Sequence, residues 1–195
     1  IRALKYSGLE LAEGTKRNYP LGNFASQVLG SVNDDNQGRT GLELQYDEFL
    51  SGVPGRWVKN TDISGNELVE GREEYHEAQD GLNVVTTLDE AIQYYVEKAI
   101  DEGMEKTGAK RIMCLVMDPK TGDILASAVT PGFDPNNATV PTDETYAEEY
   151  EKAKNKSEVL SKMWRNPIVS DTYEPGSTFK LITASSAIEE KAITT

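Results

Sequence analysis

Ser177 and Lys180 stand three residues apart behind a Pro175-Gly176 turn signal, and a hydroxyl beside an amine is minimal equipment for acyl transfer. The apolar residues that follow (Phe179, Leu181, Ile182, Ala184, Ala187, Ile188) cover more than one side of a helix, which predicts a buried helix with Ser177 in its first turn. At this spacing two helical residues share a face with Cβ atoms about 5–6 Å apart, so the amine reaches the hydroxyl oxygen. A serine hydroxyl is a poor nucleophile, and a lysine near its reference pKa of about 10.4 is protonated at neutral pH. Burial would disfavour the charged ammonium, and the positive helix end would do the same while favouring an alkoxide at Ser177. The Ser177 N–H would supply one half of an oxyanion hole, and the other half would come from elsewhere. The plain alternative is an N-cap serine followed by a surface lysine, and the spacing by itself does not decide between the two.

The elements that must position this pair are legible upstream. Residues 145–164 read as one helix, opened by Thr145 with Glu148 as capping partner and carrying Tyr146, Tyr150, Ala153, Leu160 and Trp164. Residues 131–141, rich in Pro, Gly and Asn, read as a loop. Residues 111–118 predict a fully buried strand, 119–122 a turn and 123–129 a second strand paired with the first. Before them, residues 82–86 form a short β-prone segment, and Thr87 with Glu90 makes a capping box. It opens an amphipathic helix along Leu88, Ile92, Val96, Ala99 and Gly103, with Gly108 as its stop. Residues 7–80 are turn-rich, with one short helix over 46–50, and the charged run 67–80 marks a domain boundary.

Composition removes several function classes. The 33 acidic and 20 basic side chains give a net charge of −13, which repels nucleic acid and anionic membrane surfaces. The single cysteine, Cys114, lies in an apolar run and reads as a core residue, so no disulfide framework exists. The single histidine, His76, is flanked by Glu73, Glu74 and Glu77, which read as a solvated acidic face and not as metal ligands. There is no eighteen-residue apolar stretch, and residues 1–20 lack the basic start and apolar centre of a signal peptide.

The run E-P-G-S-T-F-K over Glu174–Lys180, with W-R-N at Trp164–Asn166 upstream and A-I-E-E closing the helix, resembles the active-site serine segment of the penicillin-binding proteins. The resemblance is to the monofunctional class B transpeptidases of cell division and sporulation. R-x-Y-P at Arg17, Tyr19 and Pro20, and G-L-E at Gly41, Leu42 and Glu43, are similar to that family's pedestal region. The resemblance implies an α+β fold. Residues 1–80 would form an irregular, non-catalytic, dimerisation-type pedestal. Residues 81–195 would form the first part of a transpeptidase domain, an antiparallel sheet flanked by helices. Arg17 is expected to hold Glu43 bidentately and lock two irregular segments, the alternative being two unrelated surface charges.

What the resemblance implies about activity is a peptidoglycan DD-transpeptidase working through an acyl-serine. Ser177 is the nucleophile and Lys180 the proton acceptor, with no metal or organic cofactor. Expected partners are peptidoglycan stem peptides, β-lactam antibiotics, the remainder of the transpeptidase domain and division or sporulation membrane proteins, with no nucleic acid. The expected location is the outer face of the bacterial cytoplasmic membrane, held by an N-terminal anchor that this chain does not contain. The family's Ser-x-Asn and Lys-Thr-Gly (or Lys-Ser-Gly) elements do not occur after Ser177, which suggests the front part of a larger enzyme. Alternatives are a DD-carboxypeptidase, a β-lactamase (for which residues 7–80 would be superfluous), and a β-lactam sensor or inactive scaffold of the same fold.

Overall fold

The computed structural model describes residues 14–58 and 74–193. The sequence before residue 81 contains no long periodic apolar segment, so it has no amphipathic element on which to build a core. Its described residues fold instead as short pieces: α1 (Ser26–Leu29), α2 (Gly41–Gln45), α3 (Asp47–Leu50) and a small antiparallel ladder of β1 (Arg56–Val58) with β2 (Glu74–His76). The helix expected over 46–50 begins one residue late. Tyr46 caps α2 with φ −114° and ψ 19°, outside helical geometry, and so separates α2 from α3. Of the charged run 67–80, residues 67–73 lie outside the described residues.

The pieces are held by close backbone crossings. Gly30 takes φ 80°, and a Cβ placed there would meet the Thr40 carbonyl oxygen at 1.8 Å. Only glycine satisfies both demands. Gly30→Ala is therefore expected to cost at least about 2 kcal/mol, from a strained positive φ and a backbone clash that no rotamer relieves. Chemical denaturation measures this, and an unchanged midpoint would show that the crossing opens at no cost.

The second half has the periodic elements that the first lacks. Helix α4 (Glu90–Thr107) is capped by Asp89, whose Oδ1 accepts the Ile92 N–H at 2.9 Å, and ends at Gly108 with φ 65°. The Thr87–Glu90 box does not form. The Thr87 hydroxyl donates to the Ile124 carbonyl at 2.7 Å and the Asp89 N–H to Leu125 O at 2.9 Å, so the approach to α4 is stitched to a neighbouring strand. Residues 82–86 do not form a strand, and the Leu82 N–H bonds Phe49 O at 2.7 Å.

Strand β3 (Ile112–Met117) pairs antiparallel with β4 (Ile124–Thr130), with Ile112 opposite Thr130 and Leu115 opposite Ser127. The strand expected to be buried on both faces is not: β3 alternates half-buried and exposed residues, and Cys114 is half-buried. One face of the hairpin packs on α4, as the approach of Ile112 Cδ1 to Gly103 shows, and Met113, Leu115 and Met117 are exposed. The helix expected over 145–164 is two helices, α5 (Glu144–Lys152) and α6 (Lys156–Trp164). Asp143 caps the first, and Asn155, accepting the Ser157 N–H at 3.2 Å, caps the second; Ala153 leaves helical geometry with ψ 135°. These caps replace the expected Thr145–Glu148 box because their side chains supply acceptors to otherwise orphaned N–H groups. Phe133, Ala138, Leu160 and Met163 form a buried cluster, with Tyr146, Tyr150 and Trp164 packed against it.

Side-chain amides and a carboxylate join the two halves. The Asn136 carboxamide accepts the Tyr19 N–H and donates to Tyr19 O, both at 2.9 Å. Glu97 Oε1 accepts the Ala25 N–H at 2.7 Å and the Gln93 Nε2–H at 2.7 Å. Gln93, fully buried, also exchanges bonds of 2.7 and 3.0 Å with the Ser127 backbone in β4. Arg39 lies 5.0 Å over the Trp164 ring.

Candidate active site

Helix α6 ends at Trp164, α7 (Pro167–Ser170) follows, and the chain then runs without regular structure to a 3₁₀ turn over Gly176–Phe179 and helix α8 (Lys180–Glu189). The Pro175-Gly176 pair makes the entry: Gly176 takes φ 53°, a left-handed conformation that suits glycine. Thr178 closes the turn by donating its hydroxyl to Pro175 O at 2.6 Å.

Ser177 and Lys180 flank this turn. The Lys180 N–H donates to the Ser177 carbonyl, closing the i to i+3 bond of a 3₁₀ helix. In that geometry residues three apart eclipse one another, so both side chains lie along one edge, closer to superposition than an α-helix would bring them. The apolar helix therefore begins after the nucleophile candidate, with Lys180 as its first residue.

The expected burial is not what the structure shows. Ser177 and Lys180 are exposed, as are Leu181 at 74 % and Ile182 at 57 %. Helix α8 has its main contacts with the turn before it, and no described element covers its apolar face. The burial that would discharge a lysine is thus absent among the described residues. What remains is the eclipsed pair and the N-terminus of α8, whose positive dipole end favours developing negative charge.

Arg17 and Glu43 are brought together. Arg17 Nε donates to Glu43 Oε1 at 2.7 Å, and the Tyr19 hydroxyl donates to the same oxygen at 3.1 Å. The contact is not the expected bidentate fork: Arg17 meets the carboxylate through Nε, on the oxygen that the tyrosine shares. Burial and the Glu43 carboxylate push the Tyr19 phenol well above its ordinary range, keeping it a donor. Burial pulls the Arg17 guanidinium down, and Glu43 more than offsets this, leaving it above its ordinary value. Glu43 is buried on α2 while Arg17 and Tyr19 come from the preceding segment, so the trio ties two irregular stretches.

His76 Nε2 lies 3.0 Å from Glu74 Oε1, both exposed. Among the described residues no His, Cys, Asp or Glu cluster could hold a metal, and Glu73 lies outside them. Two groups of working residues were not legible beforehand. One is the Gln93–Glu97–Asn136 set, and the other is Asp171 with Arg111 and Arg165. Their only sequence signal was a polar residue at a position where the pattern called for an apolar one, or where it set no requirement.

Residues 2–86 match the family described as "Penicillin-binding Protein dimerisation domain", and residues 112–195 match "Penicillin binding protein transpeptidase domain". Stage V sporulation protein D of Bacillus subtilis is 35% identical over 193 residues, covering 99% of this chain and 27% of that protein. Peptidoglycan D,D-transpeptidase FtsI of Buchnera aphidicola is 29% identical over 193 residues, covering 99% of this chain and 30% of that protein. Penicillin binding protein 3 of Mycobacterium tuberculosis, solved in complex with ampicillin, superposes with a TM-score of 0.65 at 32% identity, covering 90% of this chain and 31% of that one. The chain thus spans roughly a quarter to a third of the length of the relatives it matches. Successive matches to the dimerisation and transpeptidase domains of penicillin-binding proteins, relatives aligned along nearly all of the chain, and the E-P-G-S-T-F-K turn lead to one assignment: this chain belongs to the class B penicillin-binding proteins.

Proposed function

We propose that the protein carrying this chain is a serine-type peptidoglycan DD-transpeptidase. The observation that carries the reading is the eclipsed Ser177–Lys180 pair at the start of α8, set behind a pedestal of the same family. Ser177 Oγ attacks the carbonyl carbon of the penultimate D-Ala of a stem peptide, and its proton passes to the Lys180 amine. The tetrahedral intermediate collapses, the terminal D-Ala leaves with that proton on its amine, and an acyl-serine remains. A neighbouring stem's amine then attacks this ester, its proton returning to Ser177 as the cross-link forms. Covalent catalysis, a local base and an oxyanion hole suffice, so the reaction calls for no cofactor.

In this reading residues 1–80 are the pedestal and residues 81–195 begin the catalytic domain. The Arg17–Glu43–Tyr19 cluster stiffens the pedestal, and the protein works on the outer face of the bacterial cytoplasmic membrane, where its polymeric substrate lies. Division or sporulation membrane proteins are its expected neighbours. The names of the relatives in Bacillus subtilis and Buchnera aphidicola support the sporulation and peptidoglycan transpeptidase reading.

The full-length protein mixed with penicillin is expected to gain one drug mass, mapped by peptide analysis to Ser177. Absence of an adduct would favour a scaffold. An adduct lost within minutes, or release of D-Ala from stem peptides with water as the sole acceptor, would favour a β-lactamase or a carboxypeptidase. Recovery of the native protein in a soluble cytosolic fraction would count against the membrane location.

A further inference from the structure

We propose that Asp171 is a positioning residue for acyl transfer, clamped by two arginines so that the five-residue lead-in to Ser177 starts from a fixed point. The proposal rests on the reading of Ser177 as nucleophile.

Asp171 follows α7 and receives both guanidinium groups from elsewhere in the fold. Arg111, entering β3, donates from Nη1 to Oδ2 at 3.2 Å. Arg165, just past α6, brings Nη2 to 2.5 Å from Oδ1. That second contact is a charge pairing and not an aligned hydrogen bond, since the same Nη2 donates to the Ser170 carbonyl at 2.7 Å. Arg111 Nη2 also reaches the Tyr146 hydroxyl on α5 at 3.4 Å. One carboxylate therefore joins the sheet, α5, the end of α6 and the end of α7.

Its place in the chain gives the clamp its meaning. Among the described residues, Asp171 is the last side chain before Ser177 to make an ion pair or hydrogen bond with a distant part of the fold. Beyond it, the side-chain bonds of Thr178, Thr183 and Ser185 all close on carbonyls three or four residues back. Position is thus handed from the sheet to the nucleophile through Asp171, then through the five residues 172–176, which among the described residues have no other side-chain anchor.

The groups are part-exposed, with 31 % of the Asp171 side chain and 37 % and 53 % of the arginines accessible. Exposed pairs contribute little to global stability. A nucleophile displaced by about 1 Å, by contrast, loses up to about a hundredfold in rate. The two expectations separate a positioning role from a structural one.

The test is β-lactam acylation kinetics of the full-length protein, resolving the dissociation constant of the initial complex from the acylation rate constant, with thermal melting alongside. Asp171→Asn is expected to lower the rate constant about tenfold or more. The initial complex and the melting temperature should stay near wild type. Asp171→Glu, which keeps the charge, should recover part of the loss. A deficit under tenfold, one confined to the initial complex, or one matched by a large fall in melting temperature would overturn the proposal. Arg111→Gln removes one arm and is measured beside it, with a smaller deficit of the same kind expected. Should Asp171→Asn not fold, the Arg111 variant decides alone, and a wild-type rate constant then overturns the proposal. Failure of the wild-type protein to be acylated at Ser177 would sink the underlying functional reading instead, so the two failures are distinguishable.

Discussion

Full-length protein carrying Ser177→Ala is expected to form no covalent penicillin adduct at any drug concentration or incubation time. The acyl-serine needs the hydroxyl oxygen as its bridging atom, and a methyl group offers no substitute. Loss of turnover should be complete within detection, because no other described group stands at the start of α8 on the edge that Lys180 occupies. Folding should be untouched: Ser177 is exposed, and the turn around it is closed by the Lys180 N–H and the Thr178 hydroxyl, not by the serine side chain. Intact-mass measurement paired with thermal melting checks both halves. An adduct on the variant would move the nucleophile to another residue.

Lys180→Arg is expected to slow acylation about 10²–10⁴-fold, the range for loss of a general base. Arginine keeps a cation on the same edge of the turn but does not accept a proton near neutrality, since its pKa exceeds about 12. The competing role is a positive charge that only orients Ser177 and steadies the oxyanion, and arginine would largely preserve it. The comparison is of acylation rate constants for the full-length proteins at matched melting temperature. A variant acylating within about tenfold of wild type would make Lys180 a positioning charge and place the base elsewhere. The structure adds weight to this test, because Lys180 is exposed and lacks the desolvation invoked from sequence.

The elements legible in sequence were those whose pattern is carried by local chemistry. The extent of α4 and its Gly108 stop, the β3–β4 hairpin and the loop after it follow from periodicity and turn residues. Caps were harder to read, because several acceptors compete. Asp89, Asp143 and Asn155 won over the Thr87–Glu90 and Thr145–Glu148 boxes through bonds that no window reveals, such as Thr87 to Ile124 O. Burial was the poorest inference: the apolar runs of α8 and β3 announced a covering layer, but an apolar residue does not say which element covers it. At the site, the Ser177–Lys180 spacing was legible and its 3₁₀ geometry was not. The Arg111–Asp171–Arg165 clamp joins residues up to sixty positions apart, so no local motif could disclose it.

The joint between the two halves has an evolutionary consequence. Asn136 bonds the N–H and carbonyl of Tyr19 and Glu97 bonds the N–H of Ala25, while from the other half the Gln27 amide donates to the Pro131 carbonyl and the Ser26 hydroxyl accepts the Phe133 N–H. In each case one partner is a side chain and the other is main chain, which every residue except proline supplies in full. As far as the joint is concerned, the positions of Tyr19, Ala25, Pro131 and Phe133 are free to drift. A single change at Asn136 removes two bonds at once. Mutational tolerance across this junction should therefore be uneven, with the record of selection written on Asn136, Glu97, Gln27 and Ser26.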